Sequence, residues 1–421
     1  MPRSIILKFI KKLAGRTFTI TLCLIFLFQS MGVRDAFCHN PSESGQNAGG
    51  GNCDPLDNMG NNGSAVPGNQ AENQAGDPVD LATGEFRTSR QDLFIPGRGM
   101  DARITRYYRS QSMCNGRYGY GWFLNYNVQL KRLVTNNVVI MDGDGRRYEY
   151  AYDSENDVYV SHPYTYDTLV RNPDGTYTLT ATNKKEYLFD IDGKLLSITD
   201  RNNNSIAFTY DPADRVPVIG RSAYFKAQSE GLIAYDHKLT GIVDSLGREI
   251  SLNYDEDGRL ETIVDFTGRT WVYEYDDMND LRAVTSPPTE DYPDGLTERY
   301  TYDNAHNLET ITDPKGQVYL VNHYNDVDKV DWQTYGEGTI SFYYDEDNRE
   351  TLYVDGLGTS VLVKYDDGDN TVMRKVLTRG LRDGEPESYI TRYEYNAHRE
   401  ITKKIYPKGN WVKYAYDEAG N

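Results

Sequence analysis

An aromatic residue followed at once by aspartate or asparagine recurs along most of this chain, and that recurrence limits what it can fold into. The pairs stand at Tyr166-Asp167, Phe189-Asp190, Tyr210-Asp211, Tyr235-Asp236, Tyr254-Asp255, Tyr275-Asp276 and Tyr302-Asp303. They continue at Tyr324-Asn325, Tyr344-Asp345, Tyr365-Asp366, Tyr395-Asn396 and Tyr416-Asp417. Eleven steps from 166 to 416 give a mean period of about 23 residues, a repeat of small units stacked on one another. The two longest steps carry insertions at 286–291 and 379–384.

The unit 254–275 shows what each repeat builds. Asp257-Gly258 and Gly268 are turn signals, because glycine takes a positive φ without a Cβ clash and aspartate tolerates one. Between them lie segments of ordinary strand length. Parity is period two: Ile250, Leu252 and Tyr254 share one face, and Glu249, Ser251 and Asn253 the other. Ile206, Phe208 and Tyr210 repeat the pattern, as do Trp271, Tyr273 and Tyr275, and Val412, Tyr414 and Tyr416. Alternation with β-branched and aromatic enrichment predicts strands. Each unit is therefore expected to be a β-hairpin whose closing tyrosine packs inward and whose aspartate accepts backbone N–H bonds in the turn. The single weak helix candidate is 222–231.

The chain holds 35 Tyr against 13 Phe and 4 Trp, and only 38% of its residues are hydrophobic. Abundant aromatics exclude intrinsic disorder for the repeats, and the low apolar share fits a sheet with one moist face, lined by phenol rings with polar tips. The expected fold is all-β: tandem hairpins forming a continuous, curved or spiralling antiparallel sheet, open and shell-like. With 45 Lys and Arg against 63 Asp and Glu, the charge of −18 argues against nucleic-acid binding.

Ahead of the repeats, Arg3, Lys8, Lys11, Lys12 and Arg16 precede an apolar run at 18–28 and the small residues Ser30 and Gly32. This order predicts a signal peptide at 1–32 and a secreted or cell-envelope location; the alternative is an uncleaved anchor at 17–33. Residues 33–75, rich in Gly and Asn, are expected to be a disordered linker. A β domain at 76–150 and the repeat array at 151–421 follow. Cys38 and Cys53 are candidates for a disulfide in an oxidising compartment, which would leave Cys114 over.

Signals for chemistry are sparse. His39, His162, His237, His306, His323 and His398 lack metal-ligand spacing, and His323 and His398 are expected at the surface. Carboxylate pairs such as Asp142/Asp144, Asp255/Asp257 and Asp345/Asp347 sit in turns, where solvated turn residues outweigh a glycosidase pair or a calcium loop. No cofactor and no enzymatic role are expected. Trp271, Trp332 and Trp411 are the candidates for stacking on a sugar, weighed against plain sheet packing.

The tyrosine–aspartate pairs, with the steps Gly193-Lys194, Gly247-Arg248, Gly258-Arg259 and Gly268-Arg269, resemble the RHS or YD-repeat family over roughly 152–421. The repeat signature includes Tyr210, Asp211, Tyr254, Asp255, Gly258, Arg259, Gly268, Arg269, Tyr275, Asp276, Tyr302, Asp303, Tyr344, Asp345, Tyr365, Asp366, Tyr416 and Asp417. Upstream, Gly76-Asp77-Pro78-Val79-Asp80-Leu81-Ala82-Thr83-Gly84-Glu85-Phe86, Ile95-Pro96-Gly97-Arg98-Gly99, Arg106-Tyr107-Tyr108-Arg109-Ser110 and Gly119-Tyr120-Gly121-Trp122 resemble the DUF6531 domain that opens many such proteins. The resemblance implies a spiralling shell around a carboxy-terminal toxin, with surface adhesion in other relatives. Asp313-Pro314-Lys315-Gly316 is similar to the family's self-cleaving element but falls in an ordinary repeat turn. The chain stops as a further unit begins, so a truncated chain, or a partner that covers the last strand edge, is expected. The leading expectation is an exported, non-enzymatic scaffold whose partner is a toxin or effector cargo, or a further repeat segment. A carbohydrate-binding adhesion module and an unrecognised enzyme are the alternatives.

Overall fold

The computed structural model describes residues 73–421, apart from 113, 162–164, 213–215, 218–234, 337, 379, 381–382, 418–419 and 421. The expected signal peptide, the linker up to 72 and the helix candidate at 222–231 lie outside the described residues. Within them there is no helix. Twenty-one strands, from Thr168–Arg171 to Trp411–Lys413, form one antiparallel sheet in unbroken chain order. One short ribbon, Val216–Pro217 with Tyr235–Asp236, stands apart from it. The predicted alternation holds along the array, where Ile206, Phe208, Ile250, Leu252, Trp271 and Tyr273 are buried while Ala207, Thr209, Glu249 and Asn253 are exposed; it fails at the last strand, where Val412, Tyr414 and Tyr416 are all exposed because no further strand is described beyond it.

In most of the pairs the aromatic marks a break in register. Pairing with the next strand slips at Tyr210, Tyr254, Tyr275, Tyr302, Tyr324, Tyr365 and Tyr395. A bulge of this kind bends the strand and sharpens its twist. The phenol then reaches back across the sheet. Tyr210 donates to the Leu195 carbonyl (2.9 Å), Tyr254 to Leu239 (2.6 Å) and Tyr302 to Leu281 (2.8 Å). Tyr324 donates to Leu308 (3.0 Å), Tyr344 to Val330 (2.6 Å), Tyr395 to Thr371 (2.7 Å) and Tyr416 to Ile401 (2.8 Å). Each acceptor is the first residue of the preceding strand of the sheet, the opening residue of the hairpin that the tyrosine closes.

The acid of each pair closes the turn. The Asp255 carbonyl accepts from Gly258 N (3.0 Å), and its own N–H donates to the Arg259 carbonyl (2.9 Å). Its Oδ1 accepts from Arg259 N (2.8 Å) and its Oδ2 from Arg259 Nε (2.7 Å). Asp244 with Arg248 and Asp265 with Arg269 repeat this arrangement. Gly258 and Gly268, at φ 78° and 85°, occupy the left-handed corner that the turn requires. The Gly-Arg step has a second use. Arg248 lies over the Phe266 ring (5.0 Å), Arg259 over Tyr275 (5.2 Å) and Arg269 over Trp271 (5.6 Å), so a guanidinium neutralises the turn acid and caps a neighbouring ring.

Three outcomes follow for single hairpins, each read by hydrogen exchange at the flanking amides. No atom lies within 4 Å of a Cβ placed on Gly268, so Gly268→Ala tests backbone strain alone and should cost about 1 kcal/mol. Tyr254→Phe should cost a similar amount, about 1 kcal/mol, through the lost bond to Leu239. Burial would raise the Asp265 carboxyl, but hydrogen bonds from Thr267 and Arg269 outweigh it and hold the group below its usual range. Its contribution is then complete above the unfolded value of about 3.9 and disappears as pH falls through the lower folded value. Asp265→Asn should therefore flatten the acid loss of protection in this hairpin.

Candidate functional site on the inner face

Residues 73–160 build small sheets of their own. Strands Arg87–Ile95, Ala102–Arg109 and Trp122–Leu124 form one. Gln129–Arg132, Val138–Met141, Arg147–Asp153 and Val158–Val160 form another, which runs across the domain boundary expected at 150. This unit shares one continuous apolar core with the repeats. Its polar contacts march along the array: Leu130 N to Gly193 O (3.1 Å), Leu260 N to Arg117 O (2.8 Å), Tyr120 N to Asn279 O (3.3 Å) and Val330 N to Gly84 O (3.0 Å). Asn73 reaches the Asp369 carbonyl (3.2 Å).

These contacts dictate curvature. Fourteen steps in the strand order separate Leu195–Thr199 from Thr371–Leu377, about 67 Å in a flat sheet at about 4.8 Å per strand. A compact unit of fewer than 90 residues is only about 30 Å across. One such body touches both ends of that span because the sheet wraps around it.

At the centre of the interface Arg106 is buried and bidentate on Asp92 (Nε–Oδ2 2.6 Å, Nη2–Oδ1 2.9 Å). Its Nη1 donates to the Tyr300 hydroxyl (3.1 Å), and Tyr273 donates to Asp92 Oδ2 (2.8 Å). The Trp122 ring lies 5.0 Å below the guanidinium, and Trp122 Nε1 donates to Tyr302 (2.8 Å). Nearby, Arg90 pairs with Glu298 (3.0 Å). Burial alone would raise Glu298 and Glu85. Arg90 outweighs it for Glu298, and Arg109 with Arg87 for Glu85, so both carboxyls stay below their usual range. His306 fills a left-handed turn position, stacks on Tyr120 (3.6 Å between centroids) and faces Asp280 (Nδ1–Oδ2 2.9 Å).

A polar track continues from this centre. Leu195, Leu239, Leu260, Leu281, Leu308 and Val330 open successive units with an inward apolar side chain; Thr351 and Thr371 break the series. Thr351 donates to the Leu81 carbonyl (2.6 Å), and Thr371 to the Asn73 side chain. Gln333 stands where Ile198, Ile242, Ile263 and Ile311 stand in other units. It accepts from Asp77 N (2.7 Å), and its amide donates to Asp77 O (3.2 Å) and to Asn322 Oδ1 (2.8 Å). Asn322 in turn donates to the Leu308 carbonyl (3.0 Å). Four buried polar residues thus mark where segment 73–82 lies. The repeat comparison carried this signal, because each of the four interrupts an apolar column, but sequence reasoning passed over them.

The expected site residues fall as follows. The signature tyrosines line the inner face, and their acids sit in turns. Tyr275 departs from the rule by donating to the Arg117 carbonyl (3.4 Å) of the N-terminal unit. Trp271 is 7% exposed and belongs to the core, so it offers no ring to a sugar. Trp332 is half-buried and stacks on His323 (5.3 Å, 9° between planes); Trp411 is 56% exposed. His323 is exposed beside Asp331 (2.6 Å), whereas His237 is buried and its imidazole is pushed down by desolvation. Asp142 is raised by burial and then by Asp144, while Arg146 pairs with Asp144 (2.7 Å). Among the described residues no group of three or more His, Cys, Asp or Glu is placed to hold a metal. Asp313 to Gly316 forms an ordinary turn (2.9 Å). Cys114, expected to be left over, is in a disulfide whose other half lies outside the described residues.

Residues 76–150 match the family described as a domain of unknown function (DUF6531), and residues 289–318 match the RHS repeat. A probable deoxyribonuclease RhsB of Dickeya dadantii (strain 3937) is 25% identical over 356 residues, 82% of this chain and 22% of that protein. The tRNA nuclease WapA of Bacillus subtilis (strain 168) is 23% identical over 135 residues, 32% of this chain and 6% of that protein. The chain thus spans about a fifth of the first relative and less of the second. Among solved structures, TcdB2-TccC3-TEV aligns at a TM-score of 0.32 and 12% identity, over 87% of this chain and 23% of that one. The N-terminal domain of the effector SpvB from Salmonella typhimurium strain LT2 aligns at 0.19 and 16%, over 72% and 100%.

Two substitutions test the interface. Arg106→Ala strands Asp92 in a buried site and should cost about 3–5 kcal/mol, seen as a lower unfolding midpoint in urea. Gln333→Ile restores the apolar column but leaves Asp77 N and the Asn322 side chain without their partner. It should expose 73–82 to limited proteolysis while protection in the hairpins beyond Ser388 stays unchanged.

Proposed function

Starting from a chain that carries a DUF6531 domain followed by RHS repeats, we propose that it is an exported, non-enzymatic wall segment that helps enclose a toxin or effector. The observation that carries this reading is the unbroken strand-to-strand sheet wound about the N-terminal unit. A wall built this way has a concave face lined by tyrosine hydroxyls and a continuous backbone ladder, the features a container needs. The nuclease named for the first relative belongs, in this reading, to parts of that protein outside the matched stretch, since 82% of this chain answers to only 22% of it. The cationic start and apolar run at 18–28 support export. The net charge of −18 speaks against the wall itself gripping nucleic acid.

A second reading, glycan binding, rests on one outer cluster. The half-buried Trp332 ring and the exposed His323 ring stack, with Asp331 as an acceptor next to them. Saturable binding on a glycan array that is lost in Trp332→Ala would favour adhesion over enclosure.

The main test pairs two measurements. The purified chain incubated with duplex DNA or tRNA should release no product; cleavage abolished by one carboxylate substitution would overturn the non-enzymatic role. The reading frame downstream of Asn421 should encode a toxin segment, which is expected to resist protease only when co-expressed with this chain.

A further inference from the structure

A cavity of about 280 Å³ opens where the N-terminal segment meets the turns after Tyr344 and Tyr365. Its origin is a departure from the repeat rule. Leu260 directly follows Arg259 in the regular unit, but Glu350 intervenes between Arg349 and Thr351. Pairing between the two strands here runs without a bulge, from Ser341–Val354 to Asp345–Glu350. The ladder therefore closes on the four residues 346–349 instead of the five of 255–259, and the cavity lies beside this turn.

Two groups facing this gap lack partners that their counterparts elsewhere possess. Signature tyrosines on either side donate to the opening carbonyl of the preceding strand. The Tyr365 hydroxyl, in a residue only 5% exposed, makes no hydrogen bond. Thr351 is a polar neighbour of this hydroxyl, but its own hydrogen goes to the Leu81 carbonyl (2.6 Å). The second group is Asp369, held at φ 61°. Its backbone is satisfied, N–H to Asp366 O (3.2 Å) and carbonyl from Asn73 (3.2 Å), yet its carboxylate makes no hydrogen bond or contact ion pair among the described residues; burial and then Asp80 raise it, more than Arg399 and Arg349 lower it from outside contact distance.

The cations of the lining are already engaged. Lys329 Nζ pairs with Glu346 (2.8 Å), while Arg349 donates to Asp366 O (2.8 Å) and pairs with Asp367 (3.3 Å). What remains is a buried hydroxyl and a bare carboxylate beside the Tyr344 ring and the Ala82 methyl. The missing complement is a positive donor on an alkyl stem.

We propose that this cavity binds an organic ammonium cation, with the Asp369 carboxylate as counter-ion, the Tyr365 hydroxyl as acceptor and Ala82 and Tyr344 against the alkyl stem. The cation comes either from a free amine or from a lysine side chain of a polypeptide lying on the inner face.

Titration calorimetry on the full chain separates these sources with two probes, n-butylammonium and N-acetyl-lysine methylamide. Saturable binding of either supports the site; binding of the lysine probe alone assigns it to a polypeptide. Asp369→Asn should weaken binding about tenfold or more. Tyr365→Phe should weaken it severalfold while leaving the unfolding midpoint unchanged or higher, because the lost hydroxyl had no bond to give up. Ala82→Leu, which fills the mouth, should abolish binding in a chain whose carboxylate and phenol are intact. The absence of saturation with both probes, or equal affinity in Asp369→Asn and the parent chain, overturns the proposal.

Discussion

A phenol hydroxyl that reaches from the end of one strand to the first carbonyl of the strand before it holds this protein in register. A long antiparallel sheet with a strict two-residue period is open to slippage, since a one-residue shift exchanges its faces. The closing tyrosine prevents this, because its ring packs inward and its hydroxyl is fixed to one carbonyl, as from Tyr254 to Leu239 and from Tyr344 to Val330. Burial pushes Tyr210, Tyr302, Tyr324 and Tyr344 well above the ordinary phenol range, so each remains a neutral donor. Phenylalanine would fill the same volume without measuring the distance.

The aspartate that follows makes the phenol's position reproducible. Its two oxygens fasten the turn, and the arginine four residues on links turn to ring. A dozen small bends then add up to a wall. What sets its curvature is the body inside it: the Arg106–Asp92 pair belongs to the N-terminal unit, and the array covers it and adds the hydroxyls of Tyr273 and Tyr300. Without the array this pair would lose those two hydrogen bonds and its shelter from water, so the two layers are coupled there.

The inner face is adapted to two kinds of neighbour. Where it meets apolar side chains of the N-terminal unit it keeps its leucine and isoleucine columns. Where it meets segment 73–82 it substitutes Gln333 and Thr351, which bond the backbone of Asp77 and Leu81 because peptide N–H and C=O groups taken out of water require partners; Thr371 bonds the Asn73 side chain, and Asn322 supports Gln333. The cavity beside Tyr365 lies at the end of this track, beside the turn that closes without a bulge.

Periodicity determined the hairpins, their inward faces, the role of the turn acids and the continuous sheet, because all of these are local: strand parity and turn chemistry involve residues fewer than about 25 apart. The same reasoning could not find the acceptor of each tyrosine or the wrapping about residues 73–160, and although parity placed Trp271 inward it could not separate that ring from Trp411, which shares its spacing and is exposed. Nor did it find the disulfide of Cys114 or the polar track, although Gln333 and Thr351 were visible as interruptions. These depend on contacts between residues as far apart as Asn73 and Asp369, and only the folded chain brings such groups together. A polar residue in an apolar column reads as a defect in the sequence until the structure supplies the backbone that it was placed to meet.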